Sequence, residues 1–213
     1  MKRIKIFPGN LKSVVKEAKK VIRAGGVIIC PTDTVYGLIS NAKNEKAVKK
    51  IFRIKKRVSR KPIPVFVKDF KMAKALSFIN KSQEKFLKKV WPGKVTAVLS
   101  AKSKKFPKGI LSKGGKIGMR IPDYKLINIL LKKLKIPLTG TSANISRMLT
   151  STRIKDILKQ FKNQKYLPDL ILDAGNLKLS LPSTVIDLES FKILRKGEFP
   201  KRKVLKILNK IKK

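Results

Sequence analysis

The sequence contains no histidine, only one cysteine and few acidic residues. Without an imidazole, the chain cannot form a serine–histidine triad, a histidine general base or a histidine metal site. The single cysteine, Cys30, excludes a disulfide within the chain and is typical of a reducing compartment, so we expect a cytoplasmic protein. The 12 Asp and Glu residues are mostly isolated, apart from Asp187 and Glu189, which argues against a catalytic carboxylate pair or a dedicated metal site.

Long hydrophobic runs are also absent. No apolar run approaches the roughly 20 residues that cross a bilayer, and the N-terminal segment MKRIKIFPGN lacks the apolar stretch of a signal peptide. We therefore expect no membrane partner. A chain of 213 residues that is 42% hydrophobic can bury one sizeable core, which predicts a single domain over residues 1–213.

The sequence carries a large excess of positive charge. It has 54 Lys and Arg residues and 12 Asp and Glu residues, which gives a formal net charge of +42. A field of this sign attracts polyanions such as nucleic acids, acidic lipids and nucleotides, with a strong dependence on salt. The basic residues are mostly lysines spread along the whole chain, so a general preference for lysine on the solvated surface explains the charge equally well. Both interpretations stay open.

Helix and strand patterns alternate along the chain, but not regularly. We predict helices that begin near Asn10, Asn44, Asp69, Asp123 and Lys201, and further helices in SQEKFLKKVW and TRIKDILKQF. Strands are predicted in GVIIC, PIPVFV, VTAVLSA, IGMRIP and PLTGTSAN, and late in the chain in LILDAG, STVIDL and KILRKG. This order predicts an α/β (α+β) domain on a twisted mixed sheet flanked by helices, not a regular Rossmann arrangement.

Several predicted strands end in small polar or cationic residues, in PTDTVYG, GMRIPD, GTSANIS and PSTVID. Each motif alone is also explained as a turn or cap that satisfies its own backbone. Their shared position at strand ends favours a ligand site, because ligands of open α/β sheets bind there. Arg57, Arg120 and Arg195 lie at the ends of elements and suit carboxylate or phosphate recognition better than an average lysine. Such a site would act by positioning and by stabilising negative charge.

The order of these segments resembles the YrdC/TsaC family of threonylcarbamoyl-AMP synthases, in its single-domain form. The matching segments run from about Gly25 to Phe199 and include GGVIICPTDTVYGL, WPGKVTAVL, IGMRIPD, PLTGTSANIS and ILRKGEF. The characteristic K-x-R and S-x-N pairs of the family match Lys55 with Arg57 and Ser142 with Asn144. The resemblance implies a YrdC-like twisted mixed sheet with a basic concave cleft.

The family reaction joins L-threonine, bicarbonate and ATP into threonylcarbamoyl-AMP and releases pyrophosphate. This nucleotidyltransferase step is the first in the threonylcarbamoyladenosine modification of transfer RNA, and a downstream transferase then moves the threonylcarbamoyl group to an adenosine beside the anticodon. The resemblance therefore implies ATP, L-threonine and bicarbonate as substrates, with transfer RNA or double-stranded RNA as a further candidate partner. We expect Mg²⁺ to arrive with ATP, held by phosphates and water and not by a protein metal site.

Site residues follow from the same resemblance, position by position. The predicted catalytic residues are Lys55, Arg57, Ser142 and Asn144. The predicted threonine-binding residues are Thr34, Arg120, Ser142 and Ser183, with Arg120 paired to the carboxylate. The predicted ATP-binding residues are Lys55, Arg57, Lys61, Asn144, Thr152 and Arg195.

The sequence departs from the family pattern near two of these sites. After SANIS, Arg147, Met148 and Leu149 replace the usual glycine and proline, so the assignment of Thr152 depends on how this loop runs. Phe66 stands where some relatives carry a histidine at the threonine site. Two other functions remain as alternatives: a non-catalytic RNA-binding module that uses the basic concavity, and a carbamoyl-transfer relative that acts on a different acceptor. Proteins of the latter kind usually have much longer chains.

Overall fold

The computed structural model describes residues 1–57, 61–103 and 105–212. The helices are α1 (Leu11–Arg23), α2 (Glu45–Lys55), α3 (Phe70–Leu76), α4 (Lys81–Val90), α5 (Lys125–Leu134), α6 (Ile154–Phe161) and α7 (Lys201–Lys212). The strands are β1 (Lys2–Lys5), β2 (Ile28–Cys30), β3 (Gly37–Ile39), β4 (Val65–Phe66), β5 (Val95–Ser100), β6 (Lys116–Arg120), β7 (Leu138–Thr139), β8 (Thr141–Ser142), β9 (Leu170–Asp173), β10 (Thr184–Asp187) and β11 (Lys192–Arg195). Within the described ranges, no helix is long and apolar enough to cross a membrane.

Polar side chains fix the starts of some helices as predicted. Asn44 accepts a hydrogen bond from the Ala47 amide at 2.9 Å and begins α2, and Asp69 accepts one from the Met72 amide at 2.7 Å and begins α3. Each bond satisfies a backbone N–H that has no partner within its helix. Two predicted helix starts are therefore confirmed with their mechanism.

Two other helices begin close to the predicted residues, α1 at Leu11 and α5 at Lys125, but neither has a side-chain cap from the predicted residue. The Asn10 side chain does not cap α1, because its amide nitrogen donates to the Lys5 carbonyl and its oxygen accepts from the Phe7 amide in the preceding turn. Asp123 does not begin α5, which starts at Lys125. The backbone amide of Asp123 donates to an Asp33 carboxylate oxygen at 3.2 Å, and Tyr124 occupies the position before the first residue of α5.

The strands form two mixed sheets, in the orders β1-β9-β2-β3-β8 and β11-β10-β5-β6-β4-β7. In the first, β1 and β2 are parallel to β9, whereas β3 is antiparallel to β2 and β8. In the second, β5 is parallel to β10 and antiparallel to β6. The predicted mixed α/β fold is confirmed, although its strands divide between two sheets. Strands β1 and β3 were not predicted, since the first is mostly charged and the second has only three residues.

Gly140 is the point at which the chain passes from one sheet to the other. It separates β7, which pairs with β4 in the second sheet, from β8, which pairs with β3 in the first. Its amide donates to the Pro64 carbonyl at 2.8 Å, and a β-carbon on Gly140 would lie 2.6 Å from the Phe66 ring. This close approach needs a residue without a side chain. It brings the ends of β8 and β3 beside β4 and β6.

Apolar faces of the helices cover the two sheets. Helices α1 and α5 pack together and form one buried cluster with β2 and β9, while α2, α4, α6 and α7 contribute to a second cluster with the strands of the second sheet. Trp91 is buried in the second cluster and donates its indole N–H to the Val95 carbonyl at 2.8 Å. The sheets remain open toward each other on one side, where the candidate site lies.

Candidate active site

A cavity of about 520 Å³ lies between the two sheets. Its walls are the ends of β3 and β8 on one side and one face of β4, β5, β6, β10 and β11 on the other. Alternate residues of β5 and β6 line it, because successive side chains of a strand point to opposite faces. The lining includes five basic residues and, among the residues that the structure describes, no acidic one: Arg57, Lys61, Lys116, Arg120 and Arg195.

Arg120, at the end of β6, is the most deeply buried basic residue of the described cavity wall. It is 3% exposed, and one of its terminal nitrogens lies 3.0 Å from a carboxylate oxygen of Asp33. Its guanidinium also lies over the Phe66 ring, 4.8 Å from the centroid, because β4 pairs with β6 so that Phe66 and Arg120 are direct neighbours. The Nε and Nη1 atoms have no hydrogen-bond partner among the described residues. A buried guanidinium with free donors is a ready site for an anion.

We expect Phe66→Leu to weaken the binding of whatever anion Arg120 holds. The substitution removes the aromatic face that positions the guanidinium, a contact worth about 0.5–2 kcal/mol, so the KM for the anionic substrate should rise by up to about 2–30-fold. Phe70→Leu is the matched control, since Phe70 packs against Trp91 outside the cavity. Steady-state kinetics of both variants check this expectation. An unchanged KM in Phe66→Leu would mean that the ring does not position Arg120.

Two further arginines of the cavity wall, Arg195 and Arg57, donate to backbone carbonyls. Arg195 donates to the Ser183 carbonyl from Nη2 at 2.7 Å and from Nε at 3.1 Å, and the Ser183 hydroxyl lies 2.8 Å from that of Thr96. Arg57 donates to the Pro62 carbonyl at 3.1 Å, and its Nε has no partner among the described residues. Burial, and then the charge of Arg195, lower the pKa of Arg57. Arginines that repel one another in this way create a positive potential suited to a polyphosphate.

Lys55 lies beneath the cavity and is 2% exposed. Its ammonium donates to the Ser142 carbonyl at 2.6 Å and, at 2.9 Å each, to the Asn144 carbonyl and side-chain oxygen. The Ser142 hydroxyl donates to the same Asn144 oxygen at 2.7 Å. Burial, and then the charge of Arg57, lower the pKa of Lys55 to about 7. The three oxygen acceptors around it match the three N–H donors of the charged ammonium form. Lys55 therefore fixes the loop that places Ser142 in the cavity wall.

The segment TDT both closes a turn and lines the cavity. The Thr32 hydroxyl donates to the Val35 carbonyl at 2.7 Å and accepts from the Thr34 amide at 3.1 Å. Thr32 and Thr34 both line the cavity, and Asp33 pairs with Arg120 behind them. The turn interpretation and the ligand-site interpretation are thus compatible, because the turn is what holds the threonines at the cavity wall.

Family comparison agrees with this geometry. The Sua5/YciO/YrdC family model, described as telomere recombination, matches residues 20–197. This chain belongs to the Sua5/YciO/YrdC family. A relative with the name putative threonylcarbamoyl-AMP synthase, from Methanocaldococcus jannaschii, is 39% identical over 95% of this chain and 96% of its own length.

Solved structures of this family share the fold. A crystal structure of Pyrococcus abyssi Sua5 complexed with L-threonine matches 97% of this chain with a TM-score of 0.85 and 30% identity. The chain spans 60% of the length of that protein. A crystal structure of YciO from E. coli matches 95% of this chain and 97% of its own, with a TM-score of 0.81 and 27% identity. The Sua5/YciO/YrdC fold is therefore the fold of this chain.

Most predicted site residues of this Sua5/YciO/YrdC chain meet at the cavity. The lining contains Thr34, Arg57, Lys61, Arg120, Ser142, Ser183 and Arg195. Lys55 and Asn144 do not line it but support it from below. Thr152 is 9% exposed, and its carbonyl accepts from the Leu177 amide at 2.9 Å, outside the cavity lining. The individual roles of all these residues stay predictions.

Other cavity residues were not predicted from the sequence. Lys116 lines the end of the cavity opposite Arg120 on β6 and forms ion pairs with Asp187 at 2.7 Å and Glu189 at 2.6 Å. Hydrogen bonds to Asp187 and then Glu189 raise the pKa of Lys116. Thr96 also lines the wall, as does Phe66, which the family resemblance had placed at the threonine site. The alternation of β5 and β6 was the available signal, since Lys116 and Arg120 are four residues apart on the same face.

Proposed function

We propose that this protein is a threonylcarbamoyl-AMP synthase, which converts L-threonine, bicarbonate and ATP into threonylcarbamoyl-AMP and pyrophosphate. The observation that carries the proposal is the buried Arg120 guanidinium, with two nitrogens that have no partner in the described chain, in a cavity that four further basic residues line. One carboxylate at Arg120 and one polyphosphate at Arg57, Lys61 and Arg195 would match these cations. The names of the M. jannaschii and P. abyssi relatives support this assignment.

The predicted site residues of the cavity would divide between the two larger substrates, threonine and ATP. Arg120 would hold the threonine carboxylate, with Thr34, Ser142 and Ser183 placing hydroxyls near the rest of the amino acid. The threonine nitrogen bonds to the bicarbonate carbon with loss of water, and an oxygen of the resulting carbamate attacks the α-phosphorus of ATP. The bond from that phosphorus to the β-phosphate oxygen breaks, and pyrophosphate leaves. Arg57, Lys61 and Arg195 would stabilise charge on the phosphates.

Mg²⁺ would enter this reaction with ATP. The described lining offers no carboxylate, and the described residues contain no group of three or more His, Cys, Asp or Glu side chains that could hold a metal. Such a wall suits the phosphates of a Mg²⁺–nucleotide complex, whose metal is bound mainly by phosphates and water. The ion would supply further neutralisation of phosphate charge.

Pyrophosphate release tests the proposed function. Purified protein with ATP and Mg²⁺ should release pyrophosphate only when both L-threonine and bicarbonate are present. Release without threonine would indicate another acceptor. No release under any condition, together with salt-sensitive RNA binding, would favour the non-catalytic RNA-binding module.

A further inference from the structure

A second concave surface lies on the far side of the first sheet, between α1 and α5. This α1–α5 groove has a volume of about 870 Å³. Its floor is apolar, formed by Leu11, Val15 and Ile129, none of which is exposed. Its rim carries six basic side chains: Lys12, Lys16, Lys19, Lys20, Arg23 and Lys133. The described lining of the groove contains no acidic residue.

The basic residues of α1 that line the groove lie close together, and their repulsion lowers the stability of the helix. Lys12, Lys16 and Lys20 follow one another at intervals of four residues, and Lys19 and Arg23 repeat the same interval. Like charges at this spacing repel and destabilise a helix. Along the described chain, none of the six groove cations forms an ion pair.

The basic groove between α4 and α7 differs in this respect. Of its five lysines, Lys88 pairs with Glu84 at 3.0 Å, and Glu84 also pairs with Lys74, whereas the other four form no ion pair in the described chain: Lys85, Lys89, Lys206 and Lys210. The charge there is partly compensated. All six cations of the α1–α5 groove lack an ion pair in the described chain, although hydrogen bonding to Lys2, and then the charges of Lys20 and Lys16, lower the pKa of Glu17 on the same helix.

We propose that the α1–α5 groove binds the phosphate backbone of a structured RNA. A row of cations about 16 Å long, from Lys12 to Arg23, can contact successive phosphates along one strand. A lipid surface is a poorer match, because membrane-binding helices need apolar side chains that protrude, and those of the groove lie at its floor. Contacts of this kind bind RNA of any sequence and weaken steeply with salt.

This proposal goes beyond the synthase reaction and does not depend on it. The groove packs on the outer face of the first sheet, and none of its lining residues lines the cavity between the sheets. RNA binding and pyrophosphate release are therefore separate readouts. Failure of one leaves the other intact, so the two proposals can be tested on the same protein preparations.

The test compares two triple variants that remove the same charge. Lys12→Gln/Lys16→Gln/Lys20→Gln changes the groove, and Lys85→Gln/Lys89→Gln/Lys206→Gln changes exposed lysines of the α4–α7 surface. Binding to an in vitro transcribed transfer RNA is measured across a range of salt concentrations, and binding to vesicles that contain phosphatidylserine is measured beside it. Pyrophosphate release and melting temperature serve as controls for folding.

The groove variant should bind the transcript at least about tenfold more weakly than the wild type, with a salt slope lower by about 2–3, while the α4–α7 variant stays close to the wild type. Both variants should keep pyrophosphate release and melting temperature. Equal losses in the two variants would show that only net charge matters and would overturn the assignment to this groove. Vesicle binding without RNA binding would overturn the choice of RNA.

Discussion

Arg57→Ala should reduce pyrophosphate release about 100- to 1,000-fold and leave the protein folded. The guanidinium lines the cavity beside Arg195 and carries a buried nitrogen with no partner in the described chain, so it can donate to a phosphate that develops charge. Removal of one positioned donor to such a charge typically costs this factor in turnover. Loss of a cation that Arg195 repels costs little stability, within about 1 kcal/mol.

Arg53→Ala is the matched control for Arg57→Ala. Arg53 is an exposed arginine of α2 that stacks on Tyr166, and its removal changes the net charge by the same amount. Pyrophosphate release by this variant should equal that of the wild type. Near-normal turnover of Arg57→Ala, or an equal loss in Arg53→Ala, would contradict a phosphate-binding role for Arg57.

Lys55→Met should lower the free energy of unfolding by about 3 kcal/mol, because three buried hydrogen bonds from the ammonium are lost and the Asn144 carbonyl loses its donor. For a chain of this size, the melting temperature should fall by about 6–12 °C. Pyrophosphate release should also fall at least about tenfold at temperatures where the variant is folded, since Lys55 holds the loop that carries Ser142 and Asn144.

Lys46→Met on the same helix is the control for Lys55→Met. Lys46 is exposed, and its replacement should leave the melting temperature and turnover unchanged. Thermal unfolding of the two variants, followed by turnover at a temperature below both transitions, separates stability from activity. A Lys55→Met protein as stable as the wild type would contradict the structural role that the three hydrogen bonds assign to this lysine.

The sequence contained a local signal for the burial of Lys55. It follows Val48 and Ile51 at intervals of seven and four residues, on the face of α2 that packs into the core. A lysine on that face needs partners for its ammonium. Those partners, Ser142 and Asn144, lie almost 90 residues away in the chain, so only the fold shows that the lysine supports the loop from below.

The partners of Arg120 could not be predicted for the same reason. Its position at a strand end marked it as a candidate, but Phe66 reaches it only through the register of β4 against β6. Asp33 reaches it through the turn after β2. Registers between distant strands follow from packing, not from local pattern. Phe66 occupies a position where some relatives are expected to carry histidine, and here it supplies an aromatic face in place of a polar contact.

Thr152 is the predicted site residue that the structure supports least. Arg147 adopts a left-handed backbone conformation, and the side-chain nitrogen of Asn144 donates to the Met148 carbonyl at 2.6 Å. The loop after β8 therefore folds back on Asn144. Met148 and Leu149 are exposed and do not line the cavity. A nucleotide role for Thr152 therefore requires that this loop lie against the bound nucleotide. The sequence carried a signal for this, because Arg147, Met148 and Leu149 replace the glycine and proline expected in this loop.

The most direct test of the central claim is the composition of the nucleotide product. Protein, ATP and Mg²⁺ are incubated with ¹³C-bicarbonate and L-threonine, and the AMP-containing product is analysed by mass spectrometry. Our account predicts one AMP adduct that contains both threonine and the labelled carbon, and its loss in Arg57→Ala but not in Arg53→Ala. An adduct of threonine and AMP without the labelled carbon would show simple amino-acid adenylation and would contradict the proposed synthase reaction.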